Sequence, residues 1–182
     1  MIRYLLIILL IFTGCGDPVL LTVKHYSQVE PPLSEIPIGK TTIRDAGCLT
    51  VNIASLANYY GDVSPRAFIA AMVRHGAYDA RGNLGWSKTL SALSGATGVT
   101  WKHLYSVDSV AFYVKHGVPV LAFRRGHWRV IVGVRYGTAY CLDPAKGPEP
   151  ERWKLREFER FDIWAPGHKI PEPKSLWGEI WN

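Results

Sequence analysis

The sequence predicts an α+β fold, in which an N-terminal helical half packs on a C-terminal antiparallel β-sheet. Apolar residues recur at helical spacing between residues 48 and 76, and after Gly117 the pattern changes to short extended runs. The chain has 182 residues, which fits one domain with appendages, since single domains span roughly 100 to 200 residues. Apolar residues make up 48% of the chain, enough to form a core.

The first two helices are predicted from periodicity and from their end signals. Leu49, Ile53 and Leu56 recur on one helical face, and Gly61 closes a helix over residues 48–60. The second helix follows Ser64, a favourable N-cap that precedes a proline, and ends before residue 76.

The remaining elements are predicted with weaker signals. A third helix is expected over residues 86–93, and a fourth from about Ser109 to His116 with Asp108 as its N-cap. An edge strand is expected over residues 99–105. Extended runs rich in apolar residues predict the main sheet strands at residues 118–123, 127–134, 138–143 and 161–164.

The charge pattern argues against nucleic-acid binding. The net charge is +6, but the lysines and arginines are spread along the chain without a basic block. Recognition of nucleic acid needs clustered cations. Seven tryptophans and nine tyrosines can contribute either to a core or to a ligand groove, and their number alone does not choose between these uses.

The N-terminus has the features of an export signal. Arg3 precedes a short apolar run over residues 4–12, which is below the roughly 20 residues that a membrane helix needs. The segment Phe12-Thr13-Gly14-Cys15 resembles a bacterial lipobox, with Phe12 in place of the usual leucine. This resemblance implies that Cys15 is lipidated and anchors an exported protein to a membrane. The alternative is an ordinary signal peptide with a chance cysteine.

We therefore divide the chain into three parts. Residues 1–15 form the signal peptide, residues 16–164 form the folded domain, and residues 165–182 form a tail. The tail contains closely spaced prolines and two tryptophans, and its prolines oppose regular structure.

Cys48 is the first candidate for chemistry. It follows Ala46-Gly47 and opens the first predicted helix. A cysteine in the first turn of a helix faces unpaired backbone N–H groups and the positive end of the helix dipole, which favour its thiolate. The alternative is a small buried core residue.

Export raises a second possibility for this thiol. Cys141 lies in the predicted strand 138–143, and two thiols in an oxidising compartment can form a disulfide. A bond between Cys48 and Cys141 would abolish any nucleophile. Because a buried cysteine is common in a strand, we expect Cys141 to serve packing.

His127 and Asp143 are candidates for a base and its orienting group. His127 begins an apolar strand, and strand alternation places it on the same face as Arg129. Asp143 ends the following strand. Contact between His127 and Asp143 depends on the intervening turn, because a one-residue change of register moves a side chain to the opposite face.

These residue types together suit nucleophilic catalysis. A cysteine nucleophile needs a base to accept its proton and a third group to orient that base. A side-chain amide upstream of the nucleophile, such as Gln28, can join a backbone N–H in binding the oxyanion.

Six segments of the chain resemble the papain-type cysteine peptidases of the bacteriocin-processing-peptidase-like group, in order and in spacing, over residues 23 to 148. They are Tyr26-Ser27-Gln28, residues 41–50 around Cys48, Gly82-Asn83-Leu84-Gly85-Trp86, Gly117-Val118-Pro119-Val120, Gly126-His127-Trp128 and Asp143-Pro144-Ala145. The resemblance implies a papain-like fold with a catalytic cleft between the helical half and the sheet.

The resemblance also implies the site residues. Gln28 would form the oxyanion hole, Cys48 would be the nucleophile, His127 the general base and acid, and Asp143 the group that orients His127. One departure is Asn52, which lies inside the first helix where the segment after the cysteine differs from the family pattern. Trp86 and Trp128 are candidate walls for a substrate, although core packing suits Trp128 better.

The prediction is an exported, lipid-anchored cysteine peptidase that hydrolyses an amide bond in a peptide. Two alternatives stay open, a non-catalytic module that binds a peptide or cell-wall fragment and an endopeptidase acting on peptidoglycan stem peptides. We expect no cofactor and no metal, because the remaining histidines lack paired ligand spacing. The expected partners are a peptide or cell-wall peptide and a membrane, and not nucleic acid.

Overall fold

The computed structural model of the protein describes residues 18–85 and 99–171. Its helices are α1 (Ile43–Ala46), α2 (Cys48–Gly61), α3 (Pro65–Arg74) and α4 (Val107–Lys115). Its strands are β1 (Pro37–Ile38), β2 (Thr41–Thr42), β3 (Val99–Leu104), β4 (Val120–Arg124), β5 (His127–Arg135), β6 (Thr138–Leu142), β7 (Glu151–Lys154) and β8 (Arg160–Pro166). Short 3₁₀ helices cover Leu155–Glu157 and Gly167–Lys169.

The C-terminal half is one six-stranded antiparallel sheet with the strand order β3-β8-β4-β5-β6-β7. Two of its connections are two-residue turns, Arg125-Gly126 and Tyr136-Gly137, in which both residues have positive φ. Positive φ at both positions defines the type I′ turn, whose twist matches that of a hairpin, and it explains the glycine at each second position. The predicted α+β fold with an antiparallel sheet is confirmed.

The two faces of the sheet carry two apolar cores. Side chains alternate along β5, so that Val130 and Val132 pack with α2 and α3, whereas Ile131 packs with α4. Val130 and Ile131 are fully buried. At roughly 25 cal/mol per Å² of apolar surface removed from water, each such side chain contributes about 2 kcal/mol to folding. Helices therefore cover both faces of the sheet. The helix α2, which begins at Cys48, packs on the face that carries Val130 and Val132.

The helix ends agree with their predicted signals in part. Ser64 and Pro65 begin α3 as predicted, and α2 ends one residue later than expected, with Asp62 as its left-handed C-cap. The prediction of Asp108 as the N-cap of α4 is wrong. The helix begins at Val107, and the Ser106 side chain accepts the hydrogen bond from the Ser109 N–H. A serine hydroxyl satisfies an N-terminal N–H as well as a carboxylate does, so the two candidates compete at neighbouring positions.

The strands differ from prediction mainly at the sheet edges. β3 is the predicted edge strand, and β8 continues to Pro166, so Ala165 is a buried strand residue and not part of a surface tail. β7 was not predicted from the sequence. The predicted helix over residues 86–93 lies outside the described residues. Within residues 18–85 and 99–171, no helix has the length and apolar content needed to cross a membrane.

Candidate active site

Cys48 is the first residue of α2, as predicted, with Gly47 as the N-cap. Position 47 requires glycine because a Cβ there would overlap the carbonyl oxygen of Ile43 in α1. The sharp turn from α1 into α2 thus depends on a missing side chain and places the thiol at the helix N-terminus. Cys48 is partly exposed, in contrast to the fully buried Cys141.

A bulge in β5 places His127 and Arg129 on the face of the sheet that Asp143 occupies. The turn at Tyr136-Gly137 pairs Arg135 with Thr138, and this register would place Val130 opposite Asp143 if it continued. The register instead shifts by one residue between Ile131 and Gly133, so that Val130 pairs with Leu142. Continued by one residue beyond the end of β6, this register brings position 143 opposite position 129. Asp143 therefore shares the face of Arg129 and His127.

The structure brings the predicted cysteine, histidine and aspartate together. His127 Nε2 lies 2.7 Å from Asp143 Oδ1, and the imidazole is near enough to the Cys48 thiol for each group to shift the pKa of the other. Since Nε2 is held by the carboxylate, Nδ1 is the ring nitrogen available to the sulfur. The arrangement is a continuous line from thiol to imidazole to carboxylate.

Asp143 is buried, and both of its carboxylate oxygens have partners. Oδ1 has a second donor in addition to His127, and Oδ2 pairs with an arginine. The Ala145 N–H donates to Oδ1 at 2.9 Å, and Arg129 Nη2 lies 2.9 Å from Oδ2. Burial by itself would raise the pKa of Asp143. The hydrogen bonds from His127 and Ala145, with the charges of His127 and Arg129, outweigh burial and lower the pKa to about 2. Asp143 is therefore an anion at every pH at which the fold is expected to work.

The imidazole and the thiol each shift the pKa of the other towards the charged form. Burial would lower the pKa of His127, but the hydrogen bonds with Asp143 and Cys48 and the charges of both groups raise it to about 9. Burial would raise the pKa of Cys48. The hydrogen bond with His127, N–H groups of Trp128 and Leu49 and the histidine charge lower it below the ordinary thiol value. The two groups titrate as a pair, and the charged form is a thiolate beside an imidazolium.

Gln28 lies beside the residues that precede Cys48. Its side chain is buried, and Nε2 donates to the carbonyl oxygen of Arg44 in α1 at 3.0 Å. The backbone N–H of Gln28 donates to the Pro144 carbonyl at 2.7 Å. The glutamine is thus held between the segment that ends at Cys48 and the segment that follows Asp143. Its Oε1 is buried with no hydrogen-bond partner among the described residues.

Two contacts at this site were not predicted from the sequence. Arg129 forms the ion pair with Asp143, and His25 Nε2 donates to the Asp143 carbonyl oxygen at 2.9 Å. Strand alternation had placed Arg129 on the face of His127, so a signal for its role existed. No local signal marks His25, because its partner is 118 residues away in the chain.

The other predicted residues divide between packing and parts that the structure does not describe. Cys141 is fully buried and both Cys48 and Cys141 are free thiols, which confirms packing as the role of Cys141. Burial raises the pKa of the Cys141 thiol. Trp128 is 8% exposed and packs 5.1 Å from Phe123 between ring centroids, so its side chain offers little surface to a substrate. Trp86 and Cys15 lie outside the described residues.

Metal ligands do not gather at this site. Among residues 18–85 and 99–171, no group of three or more histidine, cysteine and acidic side chains has a geometry suited to a metal ion. The chemistry that the described side chains support is that of a thiolate next to a proton carrier.

Comparisons with known proteins show the family and the fold of the chain. The model of the Peptidase_C39 like family matches residues 20–169. A solved structure of a Bacillus anthracis protein described as a C39-like peptidase superposes with a TM-score of 0.53 at 14% identity. The match covers 87% of this chain and 100% of that one. A search of curated proteins finds no match.

Two further solved structures superpose less well. One is a double glycine motif protease from an AMS/PCAT transporter in complex with the leader peptide. It has a TM-score of 0.49 and 18% identity, and covers 81% of this chain and 99% of that one. The other is the peptidase domain of Streptococcus ComA, with a TM-score of 0.49 and 18% identity, covering 71% of this chain and 96% of that one.

The fold is that of a papain-like cysteine peptidase domain. Since the family model covers most of the chain, the protein belongs to the C39-like peptidase family. The resemblance noted in the sequence is thereby confirmed.

Proposed function

We propose that the protein is an exported, lipid-anchored cysteine peptidase that hydrolyses an amide bond in a peptide. The observation that carries this proposal is the placement of the Cys48 thiol, at the N-terminus of a helix, beside an imidazole that is hydrogen-bonded to Asp143. Cys48, His127 and Asp143 are the residue types that a nucleophile, its base and the group orienting that base require. The family membership supports the same class of reaction.

In the proposed first step, the proton of the Cys48 thiol passes to His127 Nδ1 and the thiolate attacks the carbonyl carbon of the scissile amide. Asp143 keeps the ring in one orientation and stabilises the imidazolium. The lowered pKa of Cys48 and the raised pKa of His127 support this step, because they favour the ion pair before substrate binds. The Sγ–C bond forms as the carbonyl becomes an oxyanion.

We assign the oxyanion hole to the Gln28 amide together with backbone N–H groups at the start of α2. The placement of Gln28 between the Arg44 carbonyl and Pro144 supports this role, because a buried, tethered amide does not have to reorganise as charge develops. One N–H of its Nε2 bonds Arg44, which leaves the second N–H for the oxyanion.

In the second half of the cycle, His127 donates its proton to the leaving amine as the C–N bond breaks, and an acyl-enzyme remains on Cys48. His127 then accepts a proton from water, whose oxygen attacks the acyl carbon and releases the carboxylic acid product. The thiol and the neutral imidazole are regenerated. No cofactor enters any of these steps.

The location of the enzyme follows from its N-terminal segment. We propose that the signal is cleaved before Cys15 and that the lipidated cysteine anchors the domain at the outer face of a membrane. The substrate is then a peptide or a cell-wall peptide accessible from that face. Incorporation of a radiolabelled fatty acid into the wild-type protein, and its loss in Cys15→Ser, tests the anchor separately from catalysis.

Alkylation tests the catalytic assignment directly. At about pH 6.5, an ordinary thiol with a pKa near 8.5 is roughly 1% ionised. We expect iodoacetamide to modify Cys48 at that pH far faster than a model thiol, and mass mapping to find Cys141 unmodified because it is buried. The His127→Ala variant should lose the rapid reaction while keeping the same fold by circular dichroism.

A peptide library then tests hydrolysis itself. Cleavage by the wild type and its loss in Cys48→Ala would support the peptidase, and purified cell walls as substrate would test the peptidoglycan alternative. A Cys48 that alkylates no faster than a model thiol, or a Cys48→Ala variant that still cleaves the responsive peptide, would show the assignment to be wrong. Slow alkylation of Cys48 is the result expected of a non-catalytic binding module.

A further inference from the structure

The end of the sheet opposite the active site carries a group of cationic side chains on one face. Arg135 pairs with Thr138, which in turn pairs with Lys154, and the next row pairs Tyr140 with Arg152. Directly paired residues of antiparallel strands point to the same face. These side chains line an open concavity of about 620 Å³. We call Arg135, Tyr136, Arg152 and Lys154 the hairpin-end surface.

The positive charge of this surface is not neutralised by ion pairs. Arg152 and Lys154 are exposed, and among the described residues Arg135, Arg152 and Lys154 have no carboxylate within salt-bridge distance. The arginines instead lie over aromatic rings, Arg135 over Tyr136 at 5.0 Å and Arg152 over Tyr140 at 5.6 Å.

Among the residues that the structure describes, one acidic side chain lines the concavity. Glu157 lines it, and its carboxylate accepts the backbone N–H of Lys154. The Lys154 ammonium donates to the Thr138 hydroxyl at 3.2 Å. Three cations against one carboxylate leave a net positive surface. Tyr136, at the tip of the hairpin, is 82% exposed and adds an amphipathic aromatic ring.

The N-terminal segment enters the domain at this same end. The Leu21 N–H donates to the Val132 carbonyl at 2.8 Å, and Leu20 packs on Gly133. Further along the chain, His25 and Gln28 bond to Asp143 and Pro144 beside the active site. The described chain therefore begins beside Gly133, near the hairpin end, and runs from there towards the catalytic end.

We propose that the hairpin-end surface binds the anionic phospholipid headgroups of the membrane in which the protein is anchored. This proposal rests on the anchoring at Cys15 proposed above. Three cations and an exposed tyrosine near the point where the described chain begins are the chemistry that an anionic bilayer surface attracts. A single lipid anchor often needs such a second signal for stable attachment.

This orientation has a consequence for access to the active site. His127 and Arg135 are the two ends of the nine-residue strand β5. At about 3.4 Å per residue, they lie roughly 27 Å apart along the strand. With the hairpin end on the membrane, the catalytic end points away from the bilayer, towards peptides in the surrounding compartment or the cell wall.

Sedimentation with lipid vesicles tests the surface without the lipid anchor. The full chain carrying Cys15→Ser is incubated with phosphatidylcholine vesicles that do or do not contain phosphatidylglycerol, at about 0.1 M salt, where screening extends over roughly 10 Å. We expect tighter partition to the anionic vesicles. The apolar run of residues 4–12 can bind both kinds of vesicle, and Arg3 adds to binding of the anionic ones, so the share of the hairpin-end surface is measured by the variants below.

A triple variant and a matched control make the test specific. The variant R135Q/R152Q/K154Q should bind the anionic vesicles roughly a hundredfold more weakly, because each cation near such a surface contributes about a fivefold factor. The control K40Q/R74Q/R81Q also loses three charges, from exposed positions on the helical half, and should bind as the parent does. Alkylation of Cys48 in both variants confirms an intact active site.

The proposal is overturned by any of three results. These are equal partition to neutral and anionic vesicles, a triple variant that binds as the parent does, and an equal loss in the control. Displacement from vesicles by soluble poly(glycerol phosphate) at a lower phosphate concentration than that of the lipid would assign the surface to a wall polymer instead. Because the vesicle test uses Cys15→Ser, its result does not depend on whether that cysteine is lipidated in cells or on peptidase activity.

Discussion

Replacing Asp143 by asparagine should change how the stability of the protein depends on pH. The carboxylate is 2% exposed and is bonded to His127, Ala145 and Arg129. The asparagine would keep the shape of the side chain but lose its negative charge, and the Arg129 guanidinium would lose its anionic partner. The variant should therefore be less stable than the wild type at neutral pH.

The magnitude follows from the pKa of Asp143. A pKa of about 2 in the folded protein, against about 3.9 in an unfolded chain, is a difference of about two units. Each unit corresponds to roughly 1.4 kcal/mol, so the ionised carboxylate contributes about 2 to 3 kcal/mol. Since the folded pKa is the lower one, this stability is present above about pH 4 and is lost as the pH falls to about 2.

Urea denaturation at a series of pH values measures this contribution. The stability gap between the wild type and Asp143→Asn should narrow by about 2 to 3 kcal/mol between about pH 5 and pH 2. Asp108→Asn, which removes an exposed carboxylate from the first turn of α4, is the matched control and should show no such narrowing. A gap that stays constant over this range would refute the assignment of the buried ionised carboxylate to Asp143.

Three further substitutions test the packing around the site. Arg129→Gln removes one partner of a buried ion pair, so it should destabilise the fold by about 3 kcal/mol and raise the pKa of Asp143. Urea denaturation at a series of pH values measures both effects. Gly47→Ala should cost about 2 kcal/mol in thermal unfolding, because its methyl group would overlap the Ile43 carbonyl, whereas an unchanged melting temperature would contradict the tight turn before α2. Leu56→Ala, in the fully buried middle of α2, should cost about 2 to 5 kcal/mol in calorimetry through the cavity that it leaves.

The sequence predicted well those features whose causes are local. The first helix was expected over residues 48–60 and runs from Cys48 to Gly61, because its apolar spacing and end signals lie within the helix itself. The two hairpin turns carry a glycine at each second position for the same reason. By contrast, β7 was missed, since Glu151–Lys154 is a short polar edge strand without an apolar run that distinguishes it from a loop.

The candidate site shows the same division. The position of Cys48 at a helix N-terminus follows from its neighbours in the chain, and so does the position of His127 at the start of a strand. The contacts of His25 and Gln28 with the Asp143 segment join positions more than a hundred residues apart. No local pattern specifies such contacts, because they depend on how the N-terminal segment lies along the finished sheet.

The sequence by itself determined the residue types of the site, the helix that carries the thiol, and the two strands that carry the imidazole and the carboxylate. Only the tertiary structure decided that His127 and Asp143 meet. The register set by the turn at Tyr136-Gly137 would place His127 and Asp143 on opposite faces, and the bulge at Val132 shifts β5 by one residue so that they share a face. The physical reason is that side chains alternate between the two faces with a period of two. One unpaired residue in β5 therefore reverses the faces of the β5 side chains beyond it relative to their partners in β6.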